Sequence, residues 1–371
     1  MGQVVTNSSS PGGMVRAAME ARGWTQTDLA YALGSTTASV NQILNDKRGI
    51  SHNMAKALGA ALDCTPETFA RVQAEWDVRN ADEPDAAIAA RARILSRYPL
   101  REMVRRGWID PERGNGSLED QICRFFGVRS IEEVPHLTHS AKRTSYDDVP
   151  APQLAWLFRV RQIAREMMVE PYSAVKLNTT IESMKMLRED ADAVRLVPRL
   201  LTTAGVRYVV VEGLTNSKID GVCFWLDAQS PVIGMSLRAD RIDNFWFVLR
   251  HECAHVVHGH GKQAAILDAD VDSGASPISE EEALANREAA NFCVSEDMMQ
   301  SFYLRKKPFF AEREVIAFAK RMQVHPGLVV GQLHRRLGRY DLLRAHLVKV
   351  RRVLAGSMMM DGWGDTVPIS K

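Results

Sequence analysis

The chain lacks most features that mark secreted, membrane-bound or disulfide-stapled proteins. Its 371 residues include only five cysteines, an odd and dispersed set: Cys64, Cys123, Cys223, Cys253 and Cys293. None forms a CxxC pair, so no disulfide framework is expected and a reducing cytoplasm fits. No apolar run reaches the ~20 residues of a membrane-spanning helix, and no secretory signal opens the sequence. Residues 1–6 (MGQVVT) match the N-myristoylation pattern, a short motif read here as accidental. Net charge is small, +2, but unevenly spread. Residues 1–70 carry five Lys/Arg and five Asp/Glu, whereas residues 320–352 carry nine basic residues against Asp341 alone. The length suggests two or three domains, each able to bury its own core.

The most informative stretch is residues 245–260, FWFVLRHECAHVVHGH. It holds His251-Glu252-x-x-His255, the HExxH arrangement of zinc peptidases. Residues four apart on a helix lie on one face a turn apart, so both imidazoles can reach one Zn²⁺. Glu252 then stands beside the metal as a candidate general base. Trp246, Phe247, Val248 and Leu249 precede the pair, and Val256 and Val257 follow it. Three ionisable groups on so apolar a helix are costly to bury without a partner such as a metal.

Residues 3–13 are rich in Ser, Gly and Pro and read as a loose tail. Beyond them, 26–33 and 37–44 have helical periods, with Thr25 as the first N-cap, Gly34 as a stop, and Thr36 or Thr37 opening the second helix. Two short helices around a Gly-containing turn make a helix-turn-helix. Thr37, Ser39, Asn41 and Gln42 point outward and are small or amide-bearing, as major-groove reading requires. Lys47 and Arg48 follow as phosphate contacts. This stretch resembles the lambda-repressor-like (XRE-type) helix-turn-helix family, through Gln26-x-x-Leu29-Ala30-x-x-Leu33-Gly34 and Val40-Asn41-Gln42-Ile43-Leu44-Asn45. Residues 51–62 resemble the later helices of its HigA-like antitoxins. The resemblance implies that Gln26, Thr36, Thr37, Ser39, Asn41, Gln42, Lys47 and Arg48 bind operator DNA. The neutral charge of this region leaves phosphate attraction to a homodimer or to the basic C-terminal region.

Residues 79–150 read as a helical connector: an acidic NADEPD linker, an Ala/Arg-rich helix broken at Pro99, a helix capped by Ser117, and a polar stretch from 136 to 149. Helices are expected over 154–168, 179–187 and 192–204. The period then changes, and 206–211, 221–226 and 231–237 read as three strands. Short connections favour an antiparallel sheet, whose edge could hold peptide by strand addition. A catalytic zinc needs a third protein ligand and an open position. Positions 258 and 261 are His and Gly, which excludes the metzincin extension. A Glu from a later helix is the common alternative, and a helix is expected over 281–299. His258 is expected beside the metal or at the surface, and Cys253 in the core. After a helix over 312–322 and another over 326–337, residues 342–354 are expected to form a helix with a basic face of Arg344, Lys349, Arg351 and Arg352. Residues 358–371 are expected to fray.

Residues 151–345 resemble the ImmA/IrrE family of zinc metallopeptidases. The resemblance rests on Arg238-Ala-Asp-Arg241-Ile-Asp243-Asn-Phe245-Trp-Phe247, on His251-Glu252-Cys-Ala-His255, and on Glu288-Ala-Ala-Asn-Phe292. It implies zinc ligands His251, His255 and Glu288, with Glu252 as catalytic base; Glu281 and Glu282 are alternatives for the third ligand. The expected fold is α+β and mainly helical. A helix-turn-helix domain (1–78), a connector (79–150), a zincin-like domain with a small antiparallel sheet (151–345) and a basic tail (346–371) follow in order. The expected function is a cytoplasmic DNA-binding regulator fused to a zinc peptidase. It would cleave a repressor or partner protein, such as a cognate toxin, in a toxin–antitoxin, stress-response or mobile-element module. The alternative is an antitoxin-like repressor whose zinc domain binds or senses without turnover.

Overall fold

A computed structural model describes residues 10–84, 86–112, 116–133, 149–262, 265–269 and 279–369. It divides into two compact units, Met1–Ile88 and Ala89–Lys371. The myristoylation-like start and the polar stretch 136–148 lie outside the described residues.

The first unit is all helical. Helices α1 (Pro11–Glu20), α2 (Gln26–Ala32), α3 (Thr37–Leu44), α4 (His52–Leu62) and α5 (Pro66–Asn80) surround a core that includes Met14, Leu29, Val40, Leu58 and Phe69. The sequence predicts α2 and α3 closely because their ends are set locally. Thr25 and Asp28 form a capping box at α2, and the Thr36 hydroxyl accepts the Ser39 N–H at α3. Residues 10–13 are not loose: Ser10 caps α1, and Pro11 is its first residue. Gly12 permits this packing, since a Cβ there would lie 2.5 Å from the carbonyl oxygens of Ile43 and Leu44.

Helix α6 (Ala86–Arg97) starts at the end of the first unit; in the second unit it is followed by α7 (Leu100–Arg105), α8 (Leu118–Phe126), α9 (Ala151–Glu166), α10 (Ala174–Met184) and α11 (Val197–Thr203). Strands β1 (Arg207–Val210), β2 (Ile219–Trp225) and β3 (Pro231–Met235) precede α12 (Ile242–Val257), and β4 (Ile266–Ala269) follows it. The chain ends with α13 (Glu280–Cys293), α14 (Glu296–Lys306), α15 (Glu312–Met322), α16 (Pro326–Leu337) and α17 (Arg351–Ala355).

The sheet corrects the antiparallel expectation. Its order is β1-β3-β2-β4, with β1 parallel to β3 and the other two pairs antiparallel. The β2–β3 hairpin follows from its short turn, but β3 inserts between β1 and β2, and β4 comes from the stretch between α12 and α13. The sheet separates two cores. Tyr208, Val210, Cys223, Ile233 and Met235 face the core of α12; Val209, Val211, Val222, Phe224 and Val232 face that of α9. This is the period-2 alternation of a strand, with both faces covered.

Three further expectations are corrected. The 79–150 connector does not stand apart: Met103, Trp108, Ile122 and Phe126 share a core with Trp156 and Val160. The basic 342–354 helix is replaced by a 3₁₀ turn (Arg344–His346) and the short α17. Asp240 fixes that break, because its carboxylate accepts the Val350 and Arg351 N–H groups. The C-terminal segment is anchored as well. Asp361 is fully buried, accepts from Trp108 Nε1 at 2.7 Å and Arg159 Nε at 2.9 Å, and bridges to Val211 beyond β1.

Candidate metal centre and nucleic-acid interface

Helix α12 is buried along almost its whole length, including His251, Glu252 and His255. It packs on β2 and β3 on one side and on α13 on the other. The four-residue spacing does what the sequence predicts: the two Nε2 atoms lie 3.0 Å apart. The third group in this cluster is Glu282, from the first turn of α13. Its Oε2 lies 3.3 Å from His251 Nε2 and its Oε1 3.5 Å from His255 Nε2. These donor atoms all lie within 4.8 Å of one another.

The spacing fits a metal. Donors held about 2.0–2.1 Å from a tetrahedral zinc are separated by roughly 3.3 Å. Two imidazoles and a carboxylate match the donor set of a catalytic zinc site with a position left open. The two imidazoles are buried and Glu282 is half-buried, and buried ionisable groups need a compensating partner.

Glu288, the expected third ligand, is placed elsewhere. Its Oε2 accepts from Arg250 Nη2 at 2.6 Å, and its Oε1 lies 2.9 Å from His258 Nε2. Burial pushes its carboxyl pKa up, but the bonds from His258 and Arg250 outweigh this and hold it below the ordinary value. The physical reason for the change is rotation: six residues along a helix turn the side chain by about 120°, so Glu282 and Glu288 meet different flanks of α12. Glu281, the other alternative, lies 3.9 Å from His260 Nε2. His258 is the partner of Glu288 and, like it, is not part of the cluster.

Two residues at the site were not predicted. His260 Nδ1 sits 3.0 Å from His255 Nδ1, so it can fix the orientation and tautomer of that ring. Gly221 on β2 makes room for the Glu252 carboxylate: a Cβ there would be 2.0 Å from Glu252 Oε1. A glycine at the start of an apolar run was the only signal for it. Cys253 is buried in the core as expected, and desolvation pushes its thiol up to about 12.

In the first unit, α3 turns Val40, Ile43 and Leu44 inward and leaves Thr37, Asn41 and Gln42 exposed. Gln26, Thr36, Lys47 and Arg48 are exposed too, and Ser39 is half-buried. Arg48 donates to Ser39 Oγ at 2.8 Å, which ties the basic end of the turn back along α3. All eight predicted residues therefore lie on or next to α2, α3 and the turn that follows.

Residues 15–69 match the helix-turn-helix family. The virulence-associated protein A' of Dichelobacter nodosus is 34% identical over 82 residues, which are 22% of this chain and 71% of that relative. Through its N-terminal unit, the chain belongs to the helix-turn-helix family. This helix-turn-helix protein thus carries a DNA-binding domain within its first unit. No described helix is long and apolar enough to cross a membrane.

Proposed function

We propose that this helix-turn-helix protein is a DNA-binding transcriptional regulator whose second unit is a zinc-dependent peptidase of the ImmA/IrrE kind. The observation that supports the reading most is the convergence of His251, His255 and Glu282 beside Glu252 on α12. His251, His255 and Glu282 would hold the metal. Bound zinc would act as a Lewis acid, polarising a peptide carbonyl and making water more acidic. Glu252 accepts a proton from the attacking water and delivers it to the leaving amine. His260 keeps the His255 ring in place. Exposed Thr37, Asn41 and Gln42 read base edges, while Lys47 and Arg48 contact phosphates. A DNA-reading domain on the same chain favours a specific regulatory partner, such as a repressor or cognate toxin, over bulk protein. A homodimer would supply the second half-site, and the basic residues of 320–352 would supply the charge that residues 1–70 lack.

One observation favours a second reading. Glu252 has no exposed surface and is tucked against Gly221. A carboxylate so buried also suits a repressor whose zinc holds a partner or senses a signal without turnover. Comparing Glu252→Gln with wild type separates the two. The peptidase reading requires the variant to keep zinc and DNA binding but lose cleavage of the partner. If neither protein cleaves, and zinc content, partner binding and operator repression are the same in both, the peptidase reading fails.

A further inference from the structure

Two cavities lie at the N-terminal end of α12, one of about 350 Å³ and one of about 260 Å³. Arg241 and Tyr340 line both, which makes them two ends of one cleft. Its size suits a small molecule, whose sites run from roughly 300 to 1,000 Å³. The larger end is cationic: Arg344 and Lys349 stand on its wall beside Arg241, against the single carboxylate of Asp240. That carboxylate is already engaged. It accepts the Val350 and Arg351 N–H groups and lies 3.6 Å from Arg351 Nη2. Arg241 is likewise held by Asp243 through two bonds. The side chains of Arg344 and Lys349 are exposed and have no ion-pair or hydrogen-bond partner among the described residues. Two cations thus share one concave wall, where an anion from outside would offset their mutual repulsion. The smaller end is apolar at depth, with Phe247, Leu328 and Cys293 buried. Asn244 stands on its wall, and its carboxamide has no hydrogen-bond partner among the described residues. Tyr340, common to both ends, is 51% exposed and offers its ring to a planar group.

We propose that this cleft binds a nucleoside monophosphate with adenine as its base. The phosphate meets Arg344 and Lys349 at the cationic end. The base enters the apolar end, where the Asn244 carboxamide matches the paired donor and acceptor, N6 and N7, on one edge of adenine. Tyr340 packs against the nucleoside between them. Duplex DNA is the competing source of phosphate, but its backbone lies on the outside of a rod and leaves the apolar end empty. The site is independent of the zinc reading, since no member of the metal cluster lines it. It nevertheless adjoins that centre, because the Phe247 ring lies 6.3 Å from the His251 ring, one helical turn on.

The test is calorimetric titration of the full chain with AMP, adenosine and ribose 5-phosphate. AMP should bind saturably with one site per chain. Adenosine lacks the phosphate and ribose 5-phosphate lacks the base, so each should bind at least about tenfold more weakly. The double variant Arg344→Gln, Lys349→Gln, changed at two exposed positions, should bind AMP at least about tenfold more weakly and adenosine like wild type. Absence of saturable AMP binding overturns the proposal. So does AMP that binds no more tightly than adenosine or ribose 5-phosphate, or a double variant that binds AMP like wild type. A short duplex of mixed sequence is titrated alongside: if the double variant loses affinity for it while AMP does not bind the wild type, the cations serve DNA and the proposal fails. The wild-type comparison of probes stands even if the variant fails to fold.

Discussion

Replacing Glu282 and Glu288 separately by Gln distinguishes the two candidate third donors. Structural zinc sites gain about 10–16 kcal/mol from their ligands together, so each of a few donors contributes on the order of 3–5 kcal/mol. Glu282 lies 3.3 and 3.5 Å from the two imidazole Nε2 atoms, a ligand's distance. Glu282→Gln should therefore weaken zinc roughly 10²–10⁴-fold. Glu288 is held by Arg250 and His258 instead. Its replacement should cost less than about tenfold, the low end for groups outside the ligand set. Competition titrations with a chromophoric chelator measure both constants. Equal losses, or a larger loss for Glu288→Gln, would refute the assignment.

Gly221→Ala should destabilise the second unit by about 1–3 kcal/mol, the cost of overpacking, and displace Glu252; urea unfolding measures this, and a neutral result would show that the carboxylate can move freely. Asp361→Ala leaves the buried Arg159 without its carboxylate and should cost about 3–5 kcal/mol in the same assay. Lys47→Ala should lower the salt slope of operator binding by about one per protomer, whereas Asn41→Ala should relax base preference; quantitative footprinting at several salt concentrations separates the two effects. Burial raises the thiols of Cys253 and Cys293 from 9.0 to about 12. Once unfolded they ionise near 9, so their contribution to stability is complete below that pH and is lost as pH rises toward 12. Unfolding free energy measured across that range should fall, and a flat profile would contradict the burial.

Local features were legible in the sequence, and remote pairings were not. The caps Thr25, Thr36 and Ser117 and the spans of α15 and α16 follow from residues a few positions apart. His251 and His255 share a face because helical geometry alone puts them there. The strands were visible from their apolar runs, but nothing local reveals that β3 pairs in parallel with β1. The choice of Glu282 over Glu288 depends on which flank of α13 meets α12. That contact is set by packing between helices distant in sequence, and both residues look equally suitable when read along the chain. The C-terminal segment looked loose because its anchors, Trp108 and Arg159, are separated from Asp361 by hundreds of residues.

The most direct test of the metal centre is X-ray absorption at the zinc edge of the purified full chain. About one zinc per chain is expected, with two imidazole nitrogens and carboxylate oxygen at roughly 2.0–2.2 Å and no sulfur in the first coordination sphere. Sulfur scatterers near 2.3 Å, or a chain that holds no zinc at stoichiometric supply, would contradict it.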